Sequence, residues 1–497
     1  MPKIATKEIR DVGDGIITLL DEKRAATTNS VRFSQNLLYH KTRGRAVLRQ
    51  GTALIGAQIA NGQAILGLHQ FILSSGTKHL LAVVNGASNS GLYRLASGAW
   101  GSESVSGVKD VKHRFLTFLD TVMVLDGTNA TSSDDGDAWV TTGGNLDIGN
   151  CPKGDFCIEW RDKIYVAGKS GSEDVVYYSA PPATPTTTTI SWTVNNGSFR
   201  VEPFEGHGKI TGLGKVPGYL LIFKERALKR WNGASLFPDD LSRIGTPSQE
   251  SVVFGSNTCF YFSSGTGSPE SVGFYETNGV ETRKISVPIQ EIVNGIFSAN
   301  YSQVSGYGDT EFVMWQVGNI SNLFNDGIDF DNAVLLYHIP TSAWALLTFP
   351  VQFKVFGLYI NGNDITIAGG NADGEVMTMF TGTRDNITGT SNIPIPYALQ
   401  FQSQDFGLRD KLKEISQIKP LTKGLRDCYV AARLDERDTD GFSEIMGVSK
   451  GDFEESVSKK SLSAHVFDIR LFGVSSSGGE IMGIDIASPS LEQSETK

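Results

Sequence analysis

Cysteine is scarce. Four in 497 residues (Cys151, Cys157, Cys259 and Cys428) are too few and too scattered for a disulfide framework, and Cys151 and Cys157 are not in a zinc spacing. Reduced, mostly buried thiols and synthesis in a cytosol are the expectation. Long apolar runs are missing too. The longest, such as Leu80-Leu81-Ala82-Val83-Val84 and Tyr219-Leu220-Leu221-Ile222-Phe223, have strand length and fall far short of a membrane span. The opening Met1-Pro2-Lys3-Ile4-Ala5-Thr6-Lys7 lacks the apolar core of a signal peptide, so no secretion leader is expected. The seven histidines form no His-x-His or His-Glu-x-x-His pair, and there is no Gly-x-Ser-x-Gly elbow and no complete Gly-x-x-x-x-Gly-Lys-Ser/Thr loop. The expectation is therefore a protein without catalytic residues, cofactor or metal ligands.

A basic excess is also lacking. Net charge is −10, but residues 1–50 carry ten Lys/Arg against five Asp/Glu, a balance of +5. The remainder holds 34 Lys/Arg against 49 Asp/Glu, or −15. An acidic body argues against tight duplex binding, which needs many cationic phosphate contacts. A basic segment on such a body reads as an assembly element. Lys41, Arg43, Arg45 and Arg49 alternate along Lys41 to Arg49 and would share one face of a strand, a candidate strip for docking on an acidic neighbouring subunit. The plainer alternative is a solvated strand face.

What the chain does have is a degenerate β-rich repeat. Leu92-Tyr93-Arg94-Leu95-Ala96-Ser97-Gly98-Ala99-Trp100 and Leu336-Tyr337-His338-Ile339-Pro340-Thr341-Ser342-Ala343-Trp344 share one pattern of strand, polar turn, small residue and Trp. The small-Trp step returns at Ala138-Trp139 and Ser191-Trp192. Seven units can be marked, with second strands beginning near residues 80, 121, 163, 220, 259, 312 and 364. Such a period, each unit a few short strands, is that of β-propeller blades. Longer steps hold insertions, one at Pro181 to Thr189 and one at Gly318 to Asn332, and Val287 to Val293 reads as helical.

The expected fold is all-β: an extended N-terminal arm over 1–50, a propeller of six or seven blades over 51–390, a C-terminal β-sandwich over 391–490 and a flexible tail over 491–497. The tail reads as fraying because it is polar.

Two further motifs carry little chemistry. Ser132-x-Asp134-x-Gly136-x-x-Trp139 matches the Asp-box of sialidase-type propellers, a turn in which Asp accepts backbone N–H groups and Gly takes a positive φ. A single copy, without a Phe-Arg-Ile-Pro segment, reads as structural. Asp435-Glu436-Arg437-Asp438-Thr439-Asp440-Gly441 resembles a calcium loop, but position twelve would be Gly447 where a bidentate Glu is required.

Segments outside the blades extend the picture. Phe33-Ser34-Gln35-Asn36-Leu37-Leu38, followed by Gly44-Arg45-Ala46-Val47-Leu48-Arg49-Gln50-Gly51, resembles the entry segment of the nozzle, or tail-hub, propellers of short-tailed bacteriophages. Leu221 to Gly233 is similar to a blade-ending hairpin of that group. Gln404-Asp405-Phe406-Gly407, Arg433-Leu434-Asp435 and Phe467 to Phe472 resemble the sandwich that follows its propeller. The family's Arg-Pro-Gly is Arg49-Gln50-Gly51 here, which leaves that turn less fixed. The resemblance implies a non-enzymatic virion protein, made in the host cytoplasm and located in the phage tail. It implies a homo-oligomeric ring of six copies, partnered by adaptor or portal-side tail proteins and tail fibres. Genomic DNA would leave through this distal tube without specific binding. An acidic wall would repel the phosphate backbone and let it slide.

A competing reading is a glycan-binding or glycan-cleaving propeller of the depolymerase kind, which would need paired carboxylates converging in a pocket. A third is a kelch-like interaction module.

Overall fold

Short turns with left-handed residues set the spacing of the strands. In the computed structural model, Leu119-Asp120, Arg161-Asp162 and Ser256-Asn257 all have positive φ, and each joins the first two strands of a sheet. That is the backbone of a two-residue hairpin whose twist matches the flanking strands. The structure describes residues 5–488 except 10, 19–29, 41–43, 60–62, 86–90, 106–107, 109, 184–188, 193–196, 202–207, 266–268, 324–327, 404–412, 416, 426–427, 435–442, 449–461 and 465. The Gln404 to Gly407 segment, the Asp435 to Gly441 loop and the 491–497 tail therefore lie outside the described residues, as do Lys41 and Arg43.

Seven antiparallel sheets follow one another. Blade 1 runs Ile65–Ile72, Lys78–Val84, Gly91–Ala96 and Ala99–Ser102. Blade 2 has Arg114–Phe118, Thr121–Leu125 and Ala130–Ser133, with its fourth strand reduced to a bridge between Ser132 and Val140. Blade 3 comprises Phe156–Trp160, Lys163–Ala167, Val175–Tyr178 and Ser198–Arg200, and blade 4 Ile210–Val216, Tyr219–Lys224, Leu228–Trp231 and Asp239–Ser242. Blade 5 is Val253–Gly255, Thr258–Ser263, Gly273–Thr277 and Thr282–Lys284. Blade 6 is Ser305–Gly308, Phe312–Leu323, Ile328–His338 and Ala343–Thr348.

Blade 7 takes Phe353–Asn361, Asp364–Asn371 and Val376–Met379 from the end of the repeat and its outer strand, Thr52–Leu54, from the beginning. The first strands of successive blades pack against one another, except that the first strand of blade 4 meets the second strand of blade 5, Thr258–Ser263, and Phe353–Asn361 returns to Ile65–Ile72. The result is a closed seven-bladed propeller with its first strands around the axis.

The helical reading of 287–293 resolves into a 3-10 turn, Val287–Ile289, and a short helix, Gln290–Asn294. The Gly318–Asn332 insertion lengthens the blade 6 hairpin, and its Phe330 ring packs 5.3 Å from Phe33. Among the described residues no helix is long and apolar enough to cross a membrane.

The extended-arm reading of 1–50 gives way to paired strands. Val31–Gln35 pairs with Ile395–Phe401 at the edge of a sheet continued by Phe467–Ser475, Cys428–Leu434 and Ser443–Val448. Ala5–Ile9 and Arg45–Leu48 both pair with Glu480–Ser488, whose other edge takes Gln417–Lys423. The sandwich is built from both ends of the chain, because an unpaired strand edge leaves backbone donors and acceptors unsatisfied. Its core residues Val31, Phe33, Leu399, Leu471, Ile484 and Ile486 belong to the same buried cluster as Phe262, Trp315, Trp344 and Phe353 of blades 5 to 7. Blades 5 to 7 and the sandwich thus share one core, while the rest of the propeller packs in smaller clusters between neighbouring blades.

Candidate functional site

The basic strip does not form a common exposed face. Leu37–His40 and Arg45–Leu48 make a hairpin in which His40 faces Arg45 in register. Arg45 is half-buried, and its Nη1 donates to Glu480 Oε2 at 2.8 Å within the same chain. Arg49 lies beyond the strand and is fully buried. Strict alternation from Lys41 also passes through Val47, so an apolar residue interrupts the row before Arg49; that interruption was the available signal. Arg49 is thereby removed from any docking strip.

Arg49 instead joins propeller to sandwich. Its Nη1 and Nη2 donate to Asp385 Oδ1 and Oδ2 at 2.9 and 2.6 Å, and Nη2 donates to the Thr348 carbonyl at 2.7 Å. Nε donates to Asn36 Oδ1 at 2.9 Å, and the guanidinium lies 4.1 Å from the centre of the Phe349 ring. Asn36 has a φ of 60° and closes the network: its Nδ2 donates to Thr348 Oγ1 and the Pro396 carbonyl, while Oδ1 accepts from the Thr348 N–H. Asn tolerates the left-handed region better than other non-glycine residues. A side chain on Gly51 would place its Cβ 1.8 Å from the Arg384 carbonyl oxygen. A buried ion pair repays its desolvation only when the geometry is good and further hydrogen bonds complete it, as they do here. Asp385 was not singled out from sequence, since nothing in its surroundings marks it as the partner of a residue 336 positions away.

A second charged group crosses the propeller axis. Arg114 on the first strand of blade 2 donates to Glu250 at the entry of blade 5, and Lys112 Nζ donates to the Lys354 carbonyl of blade 7. None of these blades are neighbours, so the contacts span the channel. Burial would raise the Glu250 carboxyl, but Arg114 and Lys112 outweigh it and hold it at about 2. Burial lowers Lys112 to about 8, aided by the charges of Arg114 and Lys354 and opposed by Glu250. Further along the wall, His69 Nε2 meets Thr117 Oγ1 at 2.7 Å and its ring stacks on Phe115; burial lowers the imidazole to about 4.

The Asp-box turn forms with different roles from those expected. Gly136 has a φ of 80°, but Asp135 accepts the N–H groups of Asp137 and Ala138, while Asp134 accepts from Thr121 and Asn145 side chains. All four cysteines are free thiols, and burial pushes Cys157 up to about 12. Among the described residues no group of three His, Cys, Asp or Glu is placed to hold a metal ion.

Among the described residues three larger openings face outward, one of them about 570 Å³ over the sandwich sheet past Gln35, Tyr397, Tyr429 and Arg470. An apolar cleft of about 650 Å³ lies between blade 6 and the sandwich, lined by Leu38, Val47, Gln50, Phe312, Ala345 and Phe380 among others. A groove of about 580 Å³ runs over the hairpin turns of blades 3 to 6, past Trp160, Arg161, Gly218, Phe254 and Asp309.

No protein-family model matches the chain, and no curated protein matches it. Among solved structures it is similar to the extracellular domain of BT4673 from B. thetaiotaomicron, with 10% identity, a TM-score of 0.42, and coverage of 88% of this chain and 63% of that one. It is also similar to the Neurospora crassa Pan2 WD40 domain, with 6% identity, a TM-score of 0.39, and coverage of 67% and 94%. The chain thus spans 63% of the length of the first of these. Its own strand order and ring closure define an all-β protein, a β-propeller fused to a sandwich.

Proposed function

We propose that the protein is a non-enzymatic structural component of a short phage tail, a subunit of the distal tube through which DNA leaves. One observation carries the reading. The residues on which the resemblance to tail nozzle propellers turns, Asn36, Arg49 and Gly51, are the ones that lock the sandwich to the ring. A short motif whose residues each have a demanding structural task is a stronger link than its length suggests. The shared core makes each copy a rigid two-part block, suited to bear load in a tube wall. Arg114 to Glu250 and Lys112 to the Lys354 carbonyl cross each copy's own axis, so the conduit is the space enclosed between copies. The proposal extends to a ring of six, set beside adaptor or portal-side proteins and tail fibres in the virion. Purification followed by electron-microscopic class averaging tests it: a ring of several copies around an open centre supports the tube, and isolated monomers at all concentrations refute it.

A further inference from the structure

The turn between the last two strands of blade 4 projects two large apolar side chains into solvent, Leu236 at 78% and Phe237 at 54% exposure. This turn is rigidly held. Asn232 Oδ1 accepts the Ala234 and Ser235 N–H groups, the Trp231 indole donates to the Ser235 carbonyl, and Arg161 donates to the Asn232 carbonyl. Its surroundings are knit to the same face. Arg161 also reaches the Gly218 carbonyl, and Arg230 donates to the Gly279 carbonyl beside Val280, which is 67% exposed. Phe254, 37% exposed, lines the groove that Arg161 and Gly218 share. Leu236, Phe237, Val280 and Phe254 together present roughly 400 Å² of apolar surface, at the size where an exposed patch marks an interaction site.

We infer that this knob on blade 4 inserts into the apolar cleft between blade 6 and the sandwich of a second copy of the chain. A cavity of 650 Å³ is of the size that takes a drug-sized ligand, so it admits a Leu and a Phe side chain together. Knob and cleft sit on different blades of one copy, so the contact can repeat head-to-tail, the arrangement that generates a ring when its rotation closes. The area points the same way. The knob patch supplies about half of the ~800 Å² per partner that a stable interface buries. The adjoining groove, with Arg161, Lys215 and Asp309 on its rim, adds polar contact surface beside it. This inference rests on the ring reading of the proposed function and names the surfaces that build it.

The test uses the whole protein and two variants at exposed positions, Leu236→Glu/Phe237→Glu on the knob and Gln50→Trp filling the cleft, with mass measured in solution by light scattering. Circular dichroism and melting temperature confirm that each variant is folded. Each variant alone is expected to lose the multi-copy species, with association weakened roughly 30-fold or more. Mixed in equal amounts, the two are expected to form a dimer and stop there, because the pair retains one intact knob facing one intact cleft. A parent that assembles while the knob variant assembles equally well overturns this inference and leaves the ring standing. A mixture that forms no dimer also overturns it. A parent that is monomeric at every concentration overturns both.

Discussion

Arg49 and Asp385 stand 336 residues apart in the chain and meet in a buried two-pronged ion pair, at 2.9 and 2.6 Å, where the propeller joins the sandwich. Because both groups are out of water, removing one strands the other. Asp385→Asn or Arg49→Met should each cost about 3–5 kcal/mol in urea unfolding. Arg49→Met/Asp385→Asn together should cost less than the sum of the two. Strictly additive losses would mean that the pair contributes nothing as a pair.

The two tryptophans of the repeat should differ in cost. Trp344 and Trp100 both open outer strands, and both indoles donate to a backbone carbonyl, that of Ile285 and of Ile55 respectively. Trp344 is 1% exposed within the shared core, whereas Trp100 is only half-buried. Trp344→Ala should cost about 3–5 kcal/mol, and Trp100→Ala about 1–2 kcal/mol because less of its surface leaves water. Equal denaturant midpoints for the two variants would contradict their placement.

How much of this was legible follows from what each residue's pattern records. The second strands of all seven blades stand where the apolar runs near 80, 121, 163, 220, 259, 312 and 364 put them, since each run is local and bounded by its own turn. Ring closure by Thr52–Leu54 was not legible, because three residues with no marked pattern pair with a strand more than 300 positions on. The pairing of Ala5–Ile9 with Glu480–Ser488 was hidden for the same reason. Arg49 misled in another way. A cation alternating with apolar residues looks solvated unless its partner is known, and Asp385 carries no local sign of being that partner. The Asp-box was read one residue early, since Asp134 and Asp135 are equally plausible turn acceptors until their hydrogen bonds are seen.

Stability should fall on acidification through a window that His69 helps to set. Its imidazole is lowered from the ordinary 6.5 to about 4 by burial, so the unfolded chain binds the proton first. Between those values the unfolded state holds more protons, and stability decreases as pH falls. His69→Gln should flatten this part of the profile when unfolding is followed from pH 7 to 4. An unchanged slope would show that His69 titrates normally. Glu250, held at about 2, adds a further loss at lower pH, as its carboxylate is neutralised and Arg114 loses its partner.

DNA should not adhere to the protein. The −15 balance of residues 51–497 sets a repulsive field, and the cations that cross the axis are engaged with Glu250 and backbone carbonyls. Duplex affinity at physiological salt should lie well below the roughly 10⁻⁴–10⁻⁶ M of non-specific binders. Tight, salt-sensitive binding in a titration by fluorescence anisotropy would point to a nucleic-acid-binding role.

The central claim is that copies of this propeller enclose a tube. Electron-microscopic class averages of the purified full chain address it most directly. The account predicts closed rings, six copies around an open lumen, with each propeller's own axis occluded by side chains. A field of single seven-bladed discs, unchanged on raising the concentration, would contradict it.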